Sequence, residues 1–172
     1  MSTLMARKAV EKNIAENEDY KCQHVSIEPY EAAWLSTVGV ELKKTVVESV
    51  PLEEFACLRE NDLLFIDSSH MIRPQGDVLY EYLEILPSLQ KGVIVHIHDI
   101  FTPRNYLDQW VRLDVRFWNE QYLLEAFLSF NREFEILGAL NWLRHHHFAL
   151  LASRCAFLDE SHEPGSIYLR RK

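Results

Sequence analysis

Four side chains that can bind and transfer protons occur in two short stretches of the sequence. Asp67 and His70 belong to Leu-Phe-Ile-Asp-Ser-Ser-His, and His98 and Asp99 end the stretch Gly-Val-Ile-Val-His-Ile-His-Asp. A carboxylate accepts hydrogen bonds, and an imidazole with an ordinary pKa near 6.5 takes or gives a proton near neutral pH. The two stretches therefore carry groups suited to general acid–base chemistry.

The segments around these residues are expected to bring them together. Residues 63–66 and 93–97 are apolar runs typical of strands buried on both faces, and residues 77–89 show helical spacing and end before Gly92. Strand, helix and strand within about 35 residues predict a right-handed crossover between parallel strands. Ligands bind outside the carboxyl ends of such strands, where both stretches end.

The remaining segments alternate between helix and strand patterns. A first helix with a Ser2 or Thr3 cap is expected to bury Leu4, Met5, Ala9, Val10 and Ile14. Short helices are predicted over residues 30–35 and 51–58, and longer ones over 119–130 and 141–151. Further strands are predicted over residues 24–28, 42–47, 134–140 and 165–170. This pattern predicts one α/β domain with three layers over residues 1–172.

Composition limits the classes of function. The net charge of -8 and the lack of a Lys/Arg stripe argue against nucleic-acid binding. No apolar run reaches the ~18 residues of a membrane span, and the N-terminus has no signal-peptide core. Three scattered cysteines, Cys22, Cys57 and Cys155, indicate a reduced cytoplasmic protein with incidental core thiols.

A long aromatic segment follows Asp99. Residues 100–117 contain few turn signals, and aromatic side chains on a connection above a strand-end site are typical of a substrate lid. Simple packing of a long connection is the alternative.

Several motifs, taken in order, resemble one family. They are Ser-Ile-Glu28-Pro-Tyr, the two stretches described above, and Trp118-Asn-Glu-Gln-Tyr-Leu-Leu. Together they resemble S-adenosylmethionine-dependent methyltransferases of the class I, Rossmann-like kind, and most closely the small-molecule and sugar O-methyltransferases. The resemblance implies a three-layer sandwich with a mostly parallel sheet.

The resemblance also implies roles for individual residues. Glu28 would accept hydrogen bonds from the cofactor ribose, although a solvated acid at a strand end is the alternative. In metal-dependent members, the residues matching Asp67 and Asp99 hold Mg²⁺, and the one matching His70 is the general base. A helix-capping or strand-end histidine is the alternative for His70. Asp67 is also assigned to the cofactor.

Position 98 departs from that pattern, because it is His98 where the sugar enzymes have an acid. Imidazole suits Zn, Fe, Mn or Ni better than Mg²⁺, so the metal set Asp67, His98 and Asp99 implies a different ion or none. His96 is expected to be a core histidine bonded to a backbone carbonyl. The His145-His146-His147 run is expected at the surface, since successive helical residues cannot converge on one ion.

The family's first strand and glycine-rich loop have no counterpart in this sequence. Ser2 and Thr3 match the start of the helix after that loop, where backbone donors could still meet the cofactor carboxylate. An N-terminally truncated sheet with two unpaired strand edges is therefore expected. Three explanations stay open: an internal start at Met1, a natural inactive truncation, or another segment or subunit that fills the slot.

The favoured prediction is O-methylation of a small-molecule hydroxyl, with Trp110, Trp118 and Tyr122 as the acceptor wall. Oligomeric state stays open, and a homo-oligomer is compatible with the sequence. A catalytically inactive scaffold of the same fold is the main alternative. A metallohydrolase is the second, because His96-x-His98-Asp99 resembles hydrolase metal motifs.

Overall fold

A computed structural model describes residues 2–30 and 33–172 of the chain. It contains two compact units, Met1–Val50 and Pro51–Lys172. Whether the two units form the single domain predicted over residues 1–172 stays a prediction.

The first unit contains one long helix and two short strands. Helix α1 (Ser2–Glu16) is followed by β1 (Val25–Ile27) and β2 (Glu41–Lys43), which pair in parallel. Short 3-10 turns cover Leu35–Thr37 and Val47–Ser49, and part of the helix predicted over residues 30–35 lies outside the described residues. The predicted first helix and both strands are confirmed, although β2 is shorter than expected.

The predicted buried side of α1 is wrong. Val10 is the one buried residue of the helix, whereas Leu4, Met5 and Ile14 are 40%, 67% and 44% exposed. At 3.6 residues per turn, the five apolar positions spread around most of the helix circumference, so no single face can bury them together.

The second unit is built on a four-stranded sheet in the order β3-β4-β6-β5. Its strands are β3 (Leu63–Ile66), β4 (Ile94–His98), β5 (Phe134–Ala139) and β6 (Ser166–Arg171). The predicted parallel pairing of β3 with β4 is confirmed. The predicted mostly parallel sheet is wrong, because β6 runs antiparallel to both β4 and β5. Apolar alternation predicts a strand but carries no information about its direction.

One continuous helical segment connects β3 to β4. It consists of α3 (Asp77–Tyr80), a π-helical turn (Glu81–Ile85) and α4 (Leu86–Ser88), and we call residues 77–88 the crossover helix. The remaining helices are α2 (Leu52–Ala56), α5 (Asp108–Arg112), α6 (Glu120–Ser129), α7 (Leu140–His146) and α8 (Phe148–Ala152). The helix predicted over residues 141–151 is thus interrupted at His147.

The core of the second unit lies on one face of its sheet. Fully buried side chains come from β4 and β6, from the crossover helix and from α6: Val95, Ile97, Ile167, Leu169, Tyr82, Ile85, Leu86 and Leu124. The expectation that β3 is buried on both faces is wrong, because Leu63 and Phe65 are 55% and 37% exposed. These two residues alternate with Ile66, which points to the core side, so β3 buries one face.

β1 and β3 are two of the four edge strands of these sheets. Among residues 2–30 and 33–172, β1 pairs with β2 alone and β3 with β4 alone. That these edges belong to an N-terminally truncated sheet stays a prediction.

The three cysteines are free and exposed, so the expectation of core thiols is wrong. They lie in or next to connections between helices and strands, where the chain is near the surface. No helix in the described part of the chain has the length and apolar character needed to cross a membrane.

Candidate active site

Asp67, His70, His98 and Asp99 converge at the carboxyl ends of β3 and β4. The Nε2 atom of His70 lies 3.5 Å from Asp67 Oδ1 and 3.7 Å from Asp99 Oδ2. The Nδ1 atom of His98 lies 3.4 Å from Asp67 Oδ1 and 3.2 Å from Asp99 Oδ1. The structure therefore brings together the four residues that the sequence placed at strand ends.

The loop after Asp67 is held by carboxylates of the crossover helix. The Ser68 hydroxyl donates to Glu81 Oε2 at 2.9 Å, and Ser69 donates its backbone N–H and its hydroxyl to Asp77 at 2.8 and 2.6 Å. Burial and the charge of the nearby Glu120 raise the pKa of Glu81 to about 8, so this carboxyl can keep a proton at neutral pH. Each of these serines is thus hydrogen-bonded to a half-buried or buried carboxyl group.

His70 is 5% exposed and is oriented by contacts on every side. Its Nδ1 lies 2.7 Å from Glu120 Oε2, and its ring centroid lies 4.3 Å from that of Trp118. Its backbone has φ of 58°, in the left-handed region that non-glycine residues adopt infrequently. This conformation lets the chain turn sharply after β3 while Nε2 faces Asp67 and Asp99.

The position of Asp99 depends on a glycine across the sheet. Its backbone N–H donates to the carbonyl oxygen of Gly165 at 2.7 Å, and its φ is 55°. A Cβ atom at position 165 would lie 2.7 Å from Cζ of the buried Phe101. The absence of a side chain at Gly165 therefore leaves room for Phe101 where the Gly165 carbonyl oxygen accepts the Asp99 N–H.

The charges of the site change the pKa of His70. Burial alone would lower it, but the contact with Asp67, the hydrogen bond with Glu120 and the charges of Glu120 and Asp99 together raise it to about 9. The contacts with His70 and His98 hold the pKa of Asp67 far below its ordinary value of 3.8. This raised pKa favours the protonated imidazole of His70 at neutral pH, and the role of His70 as general base stays a prediction.

His98 and His96 have opposite electrostatic environments. The contacts with Asp67 and Asp99 raise the pKa of His98 to about 10, whereas burial and the charge of His98 lower that of His96 to about 4. His96 stacks on Tyr168 at 4.2 Å and its Nε2 lies 3.0 Å from the Ser166 hydroxyl, instead of the expected backbone carbonyl.

The same cluster has the chemistry of a metal site. One donor atom from each of Asp67, His70 and Asp99 lies within 4.8 Å of the other two. The Nδ1 atom of His98 is buried and has no hydrogen-bond partner of good geometry among the described residues, although it faces the two carboxylates. Two carboxylates with an available imidazole nitrogen fit a divalent transition metal.

The aromatic residues predicted to contact the acceptor form one cluster. Trp118 lies against His70, and its ring centroid is 5.1 Å from that of Trp110. Tyr122, which is 47% exposed, lies 6.0 Å from Tyr106, and Tyr106 lies 6.3 Å from Trp118. Trp118 therefore borders the site directly, Trp110 lies one ring further away, and Tyr122 lies two rings further away, behind Tyr106.

The positively charged side chain of Arg116 lies on this aromatic cluster. The guanidinium carbon of Arg116 is 4.4 Å from the Trp110 ring centroid and 4.7 Å from that of Trp118. Cation–π contacts of this kind hold a charged side chain against aromatic faces.

The residues predicted to bind the cofactor, Glu28, Ser2 and Thr3, lie in the first unit. Glu28 follows β1, and its Oε1 accepts the backbone N–H of Tyr30 at 2.8 Å. Ser2 and Thr3 are in the first turn of α1. Their roles stay predictions.

Glu120 and Tyr82 belong to the site but were not predicted as site residues from the sequence. Glu120 is fully buried between His70 and Tyr82, whose hydroxyl donates to Glu120 Oε1 at 2.9 Å. The available signal was an acid at the start of the helix predicted over residues 119–130, directly after Trp118. The His145–His147 run is confirmed as a surface feature for His146 and His147, while His145 contacts Glu163 at 2.9 Å.

The comparison with known families agrees with this arrangement of an α/β unit and a strand-end site. A family model described as "Methyltransferase domain" matches residues 1–100, more than half of the chain. The chain therefore belongs to the methyltransferase domain family, and the resemblance is confirmed at that level. No curated protein and no solved structure gives a significant match.

Proposed function

We propose that this chain transfers the methyl group of S-adenosylmethionine to a hydroxyl oxygen of a small molecule. The observation that carries the proposal is the convergence of His70 Nε2 with the Asp67 and Asp99 carboxylates, at the strand ends of a methyltransferase domain. Methyl transfer is an in-line displacement, in which positioning of the two reactants contributes most of the acceleration.

The acceptor hydroxyl must lose its proton as its oxygen attacks the methyl group, and His70 is the group placed to take it. Its imidazole is protonated at neutral pH while Asp67 and Asp99 attract its charge, because they help to raise its pKa to about 9. When acceptor hydroxyls or a cation engage those carboxylates, two of the influences that raise this pKa are weakened, and the neutral imidazole becomes more accessible. His70 then acts as the general base.

Asp67, His98 and Asp99 would hold a divalent cation, leaving His70 to act on the acceptor. Such a cation polarises a bound hydroxyl oxygen and fixes its position. Imidazole nitrogen beside carboxylate oxygen favours Mn, Fe or Zn over Mg²⁺. His98 would have to release its proton on binding, since the Nδ1 facing the carboxylates is its available ligand atom.

By the family resemblance, Glu28, Ser2, Thr3 and Asp67 are the proposed cofactor-binding residues. Glu28 still has one carboxylate oxygen that does not accept the Tyr30 N–H, and that oxygen could accept from ribose hydroxyls. Backbone donors at Ser2 and Thr3 would meet the cofactor carboxylate. Trp118, with Trp110 and Tyr122 beyond it, would form the acceptor wall.

Calorimetric titration of S-adenosylhomocysteine into the 172-residue chain tests the cofactor assignment first. Micromolar binding that Glu28→Ala weakens at least tenfold supports the proposal. No heat of binding, with the chain folded by circular dichroism, contradicts it and favours the inactive scaffold.

A screen of hydroxyl-bearing acceptors, read as S-adenosylhomocysteine formed, then tests the role of His70. We expect His70→Ala to abolish turnover and to leave cofactor affinity within about twofold. His146→Ala, an exposed histidine on α7, is the control and should retain full activity. Loss of cofactor affinity in His70→Ala would instead show that His70 faces the cofactor.

A further inference from the structure

We propose that Glu120, supported by Tyr82, is the positioning residue that fixes which nitrogen of His70 faces the reacting groups. The catalytic role of that nitrogen rests on the function proposed above, whereas the orientation itself does not. Glu120 touches neither Asp67 nor Asp99 in the described contacts, so it acts through His70.

The hydrogen bonds of the Glu120 carboxylate are made inside the protein. Oε2 lies 2.7 Å from His70 Nδ1, and Oε1 accepts the Tyr82 hydroxyl at 2.9 Å. Glu120 and Tyr82 are both 0% exposed, so no water competes for these contacts. A buried carboxylate with both oxygens engaged has one orientation, and it imposes that orientation on the ring it contacts.

The backbone reinforces this contact. The carbonyl oxygen of His70 accepts the N–H groups of Asn119 and Glu120 at 3.0 and 3.2 Å, and the Asn119 side chain accepts the N–H of Ile72 at 2.6 Å. The start of α6 therefore binds both the backbone and the side chain of the His70 loop. An acid in the first turn of a ten-residue helix is also stabilised by the helix dipole.

The chemistry of the two groups assigns the proton. An ionised carboxylate only accepts hydrogen bonds, so Nδ1 must carry a hydrogen. When His70 is neutral, its lone pair is then on Nε2, the atom directed at Asp67 and Asp99. The opposite tautomer would place an N–H at the reacting side and could not accept a proton from an acceptor hydroxyl. In other sites, removing such a supporting partner costs about 10- to 100-fold in activity or metal affinity.

Two isosteric variants separate positioning from folding. Glu120→Gln keeps the size of the side chain but removes the charge that requires a hydrogen on Nδ1. Tyr82→Phe removes only the donor to Oε1. The matched control is Glu125→Gln, an acid of the same helix α6 that accepts the Thr102 hydroxyl at 2.7 Å and does not bind His70.

Nitrogen-15 NMR of histidine-labelled protein at a pH above about 9, where His70 is neutral, reads the tautomer without any assay of activity. For the wild type we expect a hydrogen-bonded Nδ1–H signal for His70, lost in Glu120→Gln and unchanged in Glu125→Gln. In methyl transfer, we expect kcat to fall about 10- to 100-fold in Glu120→Gln and by less in Tyr82→Phe, with both KM values within about twofold.

The proposal is overturned if Glu120→Gln keeps the wild-type His70 signal, or if its kcat equals that of Glu125→Gln. If the wild type transfers no methyl group, the function proposed above fails, and the NMR comparison still decides the orientation.

Discussion

Replacing His70 should change how the stability of the protein depends on pH. The ring is 5% exposed, and its pKa is raised from 6.5 to about 9 by Asp67, Glu120 and Asp99 against the opposing effect of burial. The folded protein therefore binds this proton more tightly than the unfolded chain does. Protonation of His70 stabilises the fold fully below pH 6.5, and this stabilisation is lost as the pH rises through about 9.

The magnitude follows from the pKa difference. At roughly 1.4 kcal/mol per unit of pKa, the change from 6.5 to about 9 corresponds to about 3 kcal/mol. A domain of ordinary stability has roughly 5–15 kcal/mol in total, so this is a large part of it. His98 contributes in the same direction, but its side chain is 39% exposed and solvent screening reduces its share.

Urea unfolding of the wild type and of His70→Asn at pH 6.5, 8 and 9.5 measures this effect. We expect the free energy of unfolding of the wild type to fall by about 3 kcal/mol more than that of the variant across this range. His146→Asn, which changes an exposed histidine in contact with Trp142, should follow the wild-type curve. Parallel curves for the wild type and His70→Asn would refute the electrostatic account of the site.

Two further predictions concern packing. Gly165→Ala should lower the free energy of unfolding by about 1–3 kcal/mol, because its Cβ would lie 2.7 Å from Phe101. Gly138→Ala, whose nearest contact would be at 3.8 Å, is the comparison, and an equal loss in both would contradict the steric argument. Leu124→Ala should cost about 2–5 kcal/mol in urea unfolding, because Leu124 is fully buried. Leu150 is 63% exposed, and Leu150→Ala should cost under about 1 kcal/mol. A larger loss of stability in Leu150→Ala than in Leu124→Ala would contradict the assignment of Leu124 to the core.

The local pattern of the sequence predicted the part of the fold that carries the site. Apolar runs and helical spacing identified β3, the crossover helix and β4 because these signals come from neighbouring residues. The strand-end rule then placed Asp67, His70, His98 and Asp99 together, and the distances agree.

Contacts between distant residues could not be predicted in the same way. Glu120 meets His70 across 50 positions of sequence, and only the packing of α6 against the crossover helix brings them together. The raised pKa of His70 has the same origin, since it depends on three carboxylates from different segments. The direction of β6 depends on the connection that follows α8, which has no regular apolar spacing.

The π-helical turn over Glu81–Ile85 gives the crossover helix one residue more than a plain α-helix of the same span would have. That extra residue sets the direction of the side chains before the turn relative to the side chains after it. If this turn became a plain α-helix while keeping all of its residues, the residues before it would rotate by about 100° relative to those after it.

Such a rotation would reach the site through two side chains. Glu81 accepts the Ser68 hydroxyl and Tyr82 donates to Glu120, and both residues lie in this turn. A plain α-helix of the same residues would therefore remove supports on both sides of the Asp67–His70 loop. The number of residues in the crossover helix, as well as their identity, therefore determines which side chains reach the site.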